Sequence, residues 1–329
     1  MIKAAEKIIE YLQSEGYEGD VLAFKEERIS VKRELGLKMG FSRRGGFSTR
    51  WRESRKGVFF HFSTSPAINP ERAFIISEAV ELPLPSRIRK SAVKLRDERG
   101  LPVGEEIEFP DWIFEFGGIE RSLLIQNTRG AKSNYSETLF FFRGEIAGEE
   151  LFAWSRKRDF PKNIQSPGGK YLVLHPLASF KLIRTLLSGE INIKGFPASI
   201  IENPAIDYAP GSHPFDASGR DMKRRLVFKK GKIKAQKPIH LLRKTPDSPP
   251  SLGWTNIIME LPTVSCDYFI LVLNLKVYGT ITELITEDGK IREINTDTLL
   301  SSVSGKIRDG WFIGPPFIKS DYILLSQYS

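Results

Sequence analysis

The strongest constraint on the fold of this 329-residue chain is a repeated pattern of short apolar segments separated by turn residues. In segment 57–63, Val58, Phe60 and Phe62 occupy alternate positions, and a period of two is typical of a β-strand. Clusters rich in glycine, asparagine or aspartate lie between such segments and favour turns. The sequence therefore predicts strands at 31–37, 57–63, 112–116, 122–127, 138–143, 150–156, 170–174, 226–228, 233–235, 268–278 and 280–284.

Helical periodicity is confined to four segments. Segment 2–15 carries an apolar face and ends at Gly16, and Pro176 begins a second helix that ends near Gly189. Asn69 followed by Pro70 predicts a helix start, with the helix continuing to Leu82. A fourth, very basic helix is predicted over 86–99.

These elements predict an α+β fold with two domains, divided in the polar, turn-rich segment 161–169. Residues 1–165 are expected to form an N-terminal antiparallel sheet with flanking helices. Residues 166–329 are expected to form a C-terminal β-rich domain with one strand-to-helix unit.

Composition excludes several kinds of site and location. The single cysteine, Cys266, rules out a disulfide within the chain and a cysteine-based zinc site. The longest apolar stretch, 268–275, is too short to span a bilayer, and no signal peptide is evident, so a cytoplasmic location is predicted. Few methionines beside many lysines, arginines and glutamates indicate a thermophilic source.

The net charge of +9 is concentrated in segment 220–244, where Asp221 is the only acid, and in a second cluster over 43–56. One hypothesis is a nucleic-acid-binding protein that uses the basic 220–244 segment, with Tyr208 and Trp254 as stacking residues. The favoured interpretation is a set of solvated strand and loop faces, including a surface that meets an acidic partner subunit. No helix-turn-helix, RNA-recognition or zinc-finger motif accompanies the basic segment.

Several segments resemble the TldD/PmbA family of peptidase-related proteins. Segment 169–176 is similar to a strand-to-helix junction of that family, and 123–130 is similar to its Asn-Ser-Arg-Gly turn. The remaining similar positions form a Pro-Phe-Asp loop and a Thr-Asn strand: His213, Pro214, Phe215, Asp216, Gly219, Thr255 and Asn256. Segment 226–233, which follows the loop, is similar to a family hairpin.

The resemblance implies that the metal motif of the family is degenerate in this chain. TldD-type members carry His-Glu-x-x-x-His at this junction, where two histidines bind zinc and the glutamate serves as a base. The three positions fall on His175, Pro176 and Phe180. The family's cysteine ligand has no counterpart, because Cys266 begins a strand pattern and is expected to be a small buried residue. No residue of this chain is therefore expected to act in catalysis or to bind a metal or a cofactor.

PmbA-type members, also called TldE, lack the metal motif and accompany TldD subunits. The resemblance therefore implies a non-catalytic, metal-less subunit of a TldD/TldE-type metallopeptidase complex acting on peptides or unstructured protein segments. Zinc is expected only in a TldD-like catalytic partner, and self-association as a dimer is the other expected arrangement. This chain is not expected to bind a membrane.

An active hydrolase is the remaining alternative. His213 and Asp216 are close in sequence and could be taken for a catalytic pair. The favoured interpretation is that Asp216 and Gly219 shape a turn while Pro214 and Phe215 pack it.

Overall fold

The computed structural model describes most of the chain, with gaps between the described ranges. These ranges are 1–33, 36–53, 56–76, 82, 84–85, 93–102, 107–188, 196–215, 222–229, 232–233, 241–242, 251–252, 255–314 and 317–326. Within them the helices are α1 (Ile2–Ser14), α2 (Pro176–Ser188), α3 (Thr296–Ser302) and a 3-10 turn, Pro70–Arg72.

Strands make up most of the described structure. They are β1 (Glu18–Arg33), β2 (Leu37–Glu53), β3 (Gly57–Ser63), β4 (Phe74–Ile76), β5 (Ile113–Asn127), β6 (Lys132–Ile146), β7 (Glu149–Ser155), β8 (Tyr171–Leu174), β9 (Ser199–Glu202), β10 (Arg225–Lys229), β11 (Lys232–Ile233), β12 (Leu241–Leu242), β13 (Ser251–Leu252), β14 (Asn256–Glu260), β15 (Phe269–Tyr278), β16 (Ile281–Thr286), β17 (Ile291–Asn295), β18 (Val303–Ile313) and β19 (Phe317–Leu325).

The N-terminal strands form an antiparallel arrangement in the order β4-β3-β2-β1-β5-β6-β7. Strands β1 and β2 form a long hairpin, paired from Glu18 with Arg52 to Arg33 with Leu37. Helix α1 covers one face, because its buried Ile8, Ile9 and Leu12 belong to the same apolar cluster as residues of β1, β2 and β5.

The C-terminal strands form a mixed arrangement in the order β17-β16-β15-β8-β19-β14-β9-β10-β11. The pairs β8–β15 and β14–β19 are parallel, and the others in this series are antiparallel. Helix α2 buries Leu182, Ile183 and Leu186 in the largest apolar cluster of this part.

Strand β18 joins the two arrangements, since it pairs with β19 along its length and with β7 at Phe312 and Ile313. In the described residues, seventeen strands therefore form one hydrogen-bonded network, and β12 pairs only with β13. Segment 161–169, the predicted domain boundary, connects β7 to β8 without regular structure. The division into two domains stays a prediction.

The predicted α+β class, with helices flanking the N-terminal sheet, is wrong. The described structure is mostly β, and its strands form a large mixed network; α1 is the only α-helix found among the described residues before 161. The physical reason is that pairing with other strands overrides the helical preference that the local sequence gives to these segments.

The helix predicted from Asn69 to Leu82 is replaced by one 3-10 turn and strand β4. Asn69 caps as predicted, since its side chain accepts a hydrogen bond from the backbone N–H of Glu71 at 3.1 Å. The chain then pairs with β3, and the ring of Phe74 packs 5.1 Å from that of Phe60. Residues 77–81 and 83 lie outside the described residues.

The helix predicted over 86–99 is also wrong in its described part. Residues 93–99 are extended or turned, and residues 86–92 lie outside the description. The carbonyl of Leu95 accepts from the N–H of Thr138, and that of Lys94 accepts from the N–H of Tyr208. These two hydrogen bonds hold the segment against distant parts of the chain.

The predicted strand 31–37 covers the end of β1 and the first residue of β2 rather than forming one strand, and residues 34 and 35 lie outside the described residues. Helix α3 had no sequence prediction, although Asn295 caps it by accepting from the N–H groups of Asp297 and Thr298. Across the described ranges, none of the helices has the length and apolar character needed to cross a membrane.

Candidate functional site

The candidate site begins where β8 passes into α2. Strand β8 lies between β15 and β19, and Leu172, Val173 and Leu174 are fully buried there. His175 follows, and its N–H donates to the carbonyl of Val272 at 2.9 Å. Pro176 is the first residue of the helix, where a missing N–H leaves no hydrogen bond unmade.

Both ring nitrogens of His175 are engaged inside the protein. Nδ1 accepts a hydrogen bond from the backbone N–H of Leu177 at 3.2 Å, so His175 caps the helix. Nε2 therefore carries the proton and donates to Oδ1 of Asn163 at 3.0 Å. The ring packs edge-on against Trp311 and Tyr322, at 5.2 and 5.5 Å between centroids. Burial lowers the pKa of His175 to about 3, so the imidazole is neutral near pH 7.

These residues do not fit a catalytic zinc. A zinc ligand must offer a lone pair, and the one at Nδ1 of His175 is used by the helix cap. Pro176 and Phe180 offer no donor atom, and Phe180 packs between two apolar clusters. Across the described ranges, no three histidine, cysteine, aspartate or glutamate side chains are grouped closely enough to hold a metal ion.

Cys266 is half-buried rather than fully buried as predicted. Its Sγ lies 3.7 Å from the carbonyl of Tyr268, and the residue packs at the edge of an apolar cluster. The segment around it leads into β15, which agrees with the predicted strand start.

The family-like loop around residue 211 is held by Arg156. This guanidinium, 1% exposed, donates to the carbonyl oxygens of Ala209, Pro210 and Ser212 at 2.8, 3.1 and 2.7 Å. It also pairs with Glu137, with Nη1 2.7 Å from Oε2. Because Glu137 lies on β6, the loop is tied to the N-terminal sheet.

Asn256 and Thr255 hold the same loop from the other side. The side chain of Asn256 accepts from the N–H of Gly211 at 2.8 Å and donates to Oγ of Ser212 at 2.8 Å. Thr255 donates through its N–H and Oγ1 to the buried carboxylate of Glu202. The structure thus brings the loop and the Thr-Asn strand together, and their atoms form a structural hydrogen-bond network.

His213, the remaining polar member of the loop, faces the N-terminal sheet. Its Nδ1 lies 3.3 Å from the hydroxyl of Tyr135, and the adjacent Phe215 packs in an apolar cluster with Leu22 and Phe24. The predicted packing role of Phe215 agrees with this contact. Asp216 and Gly219 lie outside the described residues, so the turn predicted for them stays a prediction and the His213–Asp216 pair stays an alternative hypothesis.

Much of the basic segment 220–244 also lies outside the described residues, as do His240 and Trp254. Arg224 and Arg225 are described, and they pair with Glu260 and Glu202. The second basic cluster is largely neutralised by partners on the N-terminal sheet and the β2–β3 turn. The pairs are Arg43–Glu27, Arg44–Glu26, Arg50–Asp20 and Lys56–Glu53.

The sequence matches no protein-family model and no curated protein. Solved structures do share its fold. A proposed modulator of DNA gyrase from Bacteroides thetaiotaomicron superposes with a TM-score of 0.61, covering 98% of this chain and 97% of its own at 15% identity. A second such protein, from Thermotoga maritima, gives a TM-score of 0.60, with 98% of both chains covered at 12% identity. TldE from Thermococcus kodakarensis gives 0.58, with 99% of both chains covered at 14% identity. This chain has the TldD/PmbA fold.

The resemblance predicted from the sequence is thereby confirmed at the level of the fold. The TldD/PmbA fold spans nearly the whole chain in each of the three comparisons. The network of Arg156, Glu137 and the loop carbonyls was not predicted, because its members are distant in sequence. One local signal was available for His175, since a polar residue directly before a helix-starting proline occupies the capping position.

Proposed function

We propose that this chain is the non-catalytic, metal-less subunit of a TldD/TldE-type metallopeptidase complex that acts on peptides or unstructured protein segments. The observation that carries the proposal is the imidazole of His175, whose two nitrogens both form hydrogen bonds within the protein. Pro176 and Phe180 replace the base and the second ligand that the family motif requires. The structural similarity to TldE supports the companion role.

In this proposal the zinc and the bond-breaking step belong to a TldD-like partner. The residues of this chain at the corresponding junction build a rigid, neutral helix cap. Association with that partner is the proposed assembly, and a dimer of this chain alone is the competing one. Light scattering of the purified chain, alone and mixed with the partner, distinguishes these assemblies.

The decisive experiment measures zinc and peptide cleavage on three samples: this chain, a TldD-like protein of the same organism, and the two co-expressed. Elemental analysis gives zinc per chain, and an unfolded polypeptide such as casein is the substrate. We expect no stoichiometric zinc and no cleavage for this chain alone, and both for the co-expressed pair. One zinc per chain together with cleavage by the isolated chain would contradict the proposal, as would a partner that is fully active alone.

A further inference from the structure

A cleft lies in the N-terminal part, remote in sequence from the helix cap at His175. It has a volume of about 390 Å³ and lies between the end of β3 and the segment that leads to Arg72. The polar and basic residues of its lining are His61, Ser63, Thr64, Ser65, Asn69 and Arg72.

His61 is the buried polar group of this cleft. It is 4% exposed and lies opposite Thr49 in the β2–β3 pairing, and its imidazole makes no hydrogen bond to a described residue. Burial, and then the positive charge of Arg72, lower the pKa of His61, so its ring is neutral near pH 7. A neutral imidazole retains one N–H that can donate to a ligand in the cleft.

Arg72 gives the cleft its charge. The residue is exposed, and no carboxylate in the described part of the chain forms an ion pair with it. No aspartate or glutamate is among the described residues that line the cleft. Within the described part of the chain, the positive charge of the cleft is therefore uncompensated, which attracts anions and disfavours cations.

The remaining polar groups are donors whose positions are fixed locally. Oγ of Ser63 accepts from the N–H of Ser65 at 3.1 Å and lies 3.1 Å from Oγ of Ser65, so one of the two hydroxyls donates to the other and one hydroxyl proton is left for another acceptor. Oδ1 of Asn69 accepts from the N–H of Glu71 at 3.1 Å, which leaves the Asn69 NH₂ group for a ligand. The hydroxyl of Thr64 completes the set.

We propose that this cleft binds a phosphate group, held by the guanidinium of Arg72, the N–H of His61 and the hydroxyls of the 63–65 segment. A tetrahedral oxyanion accepts hydrogen bonds in several directions, which suits a cleft with many donors and one guanidinium. The shared chemistry is the phosphate group, whether free or carried by a phosphate monoester. This proposal is independent of the subunit role proposed above.

The test is calorimetric titration of the full-length chain with inorganic phosphate, sulfate, acetate and glycerol 3-phosphate. We expect phosphate and sulfate to bind at least about tenfold more tightly than acetate, because charge-assisted hydrogen bonds to several oxygens are lost with a carboxylate. If glycerol 3-phosphate binds as tightly as inorganic phosphate, the phosphate group that the cleft binds is part of a larger ligand, a phosphate monoester. If it binds more weakly, the ligand is free phosphate.

Two variants locate the binding. Arg72→Ala, at an exposed position where folding is preserved, is expected to weaken phosphate binding by about tenfold or more. Arg184→Ala, on the exposed face of α2, is the matched control and is expected to leave binding unchanged. The imidazole resonances of His61, assigned with His61→Gln, are expected to shift when phosphate is added.

Three results would overturn the proposal. The first is acetate binding as tight as that of sulfate, and the second is equal phosphate affinity of Arg72→Ala and the parent chain. The third is a phosphate titration that leaves the His61 resonances in place, since this would put any binding elsewhere on the protein.

Discussion

The guanidinium of Arg156 and the carboxylate of Glu137 form an ion pair that is almost completely buried, with 1% and 4% of the two side chains exposed. Arg121 contacts the other carboxylate oxygen of Glu137 and also pairs with Glu26, which lies on β1. Burial opposes ionisation of Glu137, yet Arg156 and Arg121 hold its pKa below the usual range. A chain of alternating charges thus runs from the N-terminal sheet to the loop that carries His213.

Arg156→Ala is expected to lower the free energy of unfolding by about 3–5 kcal/mol, because it leaves three loop carbonyls without their donor and leaves the buried Glu137 with Arg121 as its remaining described cationic partner. Chemical denaturation of both proteins measures the difference. Arg96→Ala removes an exposed pair with Glu120 and serves as the control, with an expected cost of less than about 1 kcal/mol. Equal effects of the two substitutions would show that the buried network contributes no more than a surface ion pair.

His175 is expected to make stability depend on pH. Its pKa is about 3 in the folded protein, below the usual value of a histidine, so the unfolded chain binds a proton first as the pH falls. The contribution is fully present above about pH 6.5 and is lost by about 1.4 kcal/mol per pH unit between about pH 6 and 3.5. Unfolding free energies measured across this range provide the test.

His175→Asn is the informative variant, because asparagine can cap the helix but cannot titrate. Below pH 6 its free energy of unfolding is expected to fall less steeply than that of the parent protein, by about 1.4 kcal/mol per pH unit. Identical slopes, or a His175 resonance that titrates near pH 6.5, would contradict the burial and hydrogen bonding described for this ring.

Asn256→Asp is expected to destabilise the protein by about 3 kcal/mol or more. The amide of Asn256 donates to the carbonyl of Asn203 and to Oγ of Ser212, and a carboxylate cannot make both bonds. Asn295→Asp is a matched control, since aspartate caps a helix about as well as asparagine and α3 begins there. A thermal or denaturant unfolding series that ranks the control as the more damaging change would refute the assigned network.

Gly310→Ala is expected to be severely destabilising, by about 3 kcal/mol or more, because a methyl group at this position would lie 1.7 Å from the backbone oxygen of Ser320. Gly310 lies at an irregularity of β18, and the pairs Arg308–Tyr322 and Trp311–Ser320 on either side of it limit how far the two backbones can separate. At Gly40 the nearest atom is the movable Oγ of Ser30 at 3.1 Å. Gly40→Ala is therefore expected to change the unfolding midpoint little, and comparable losses at both positions would contradict the close approach.

Some of the fold was predictable because local sequence and tertiary context agree. Strand β3 was predicted with its observed bounds, since alternation over 57–63 coincides with a strand packed on both faces. Helix α2 was predicted from Pro176 to Ser188, because the proline fixes its start and an apolar face continues to its end. The degenerate metal motif, which the family resemblance implies at Pro176 and Phe180, stays a prediction.

Other elements could not be predicted from one sequence because distant partners decide them. The segment after Pro70 has an apolar pattern compatible with a helix, but pairing with β3 extends it. Residues 93–99 are held by Thr138 and Tyr208, which lie far along the chain. Tyr322, which packs edge-on against the His175 ring, is likewise brought near only by the complete sheet.

The position of β8 has a consequence for the order in which the protein assembles. This strand pairs with Phe269 to Val272 on one side and with Ile323 to Leu325 on the other, roughly 100 and 150 residues further along the chain. From β1 to β7 most pairs join consecutive strands, and the one long-range pair, β1 with β5, is complete once residue 127 has been synthesised. This part can therefore form on the ribosome as it emerges. We therefore expect the apolar surface of β8 and α2 to stay exposed until β15 and β19 have been synthesised. Chaperone binding is expected during that interval.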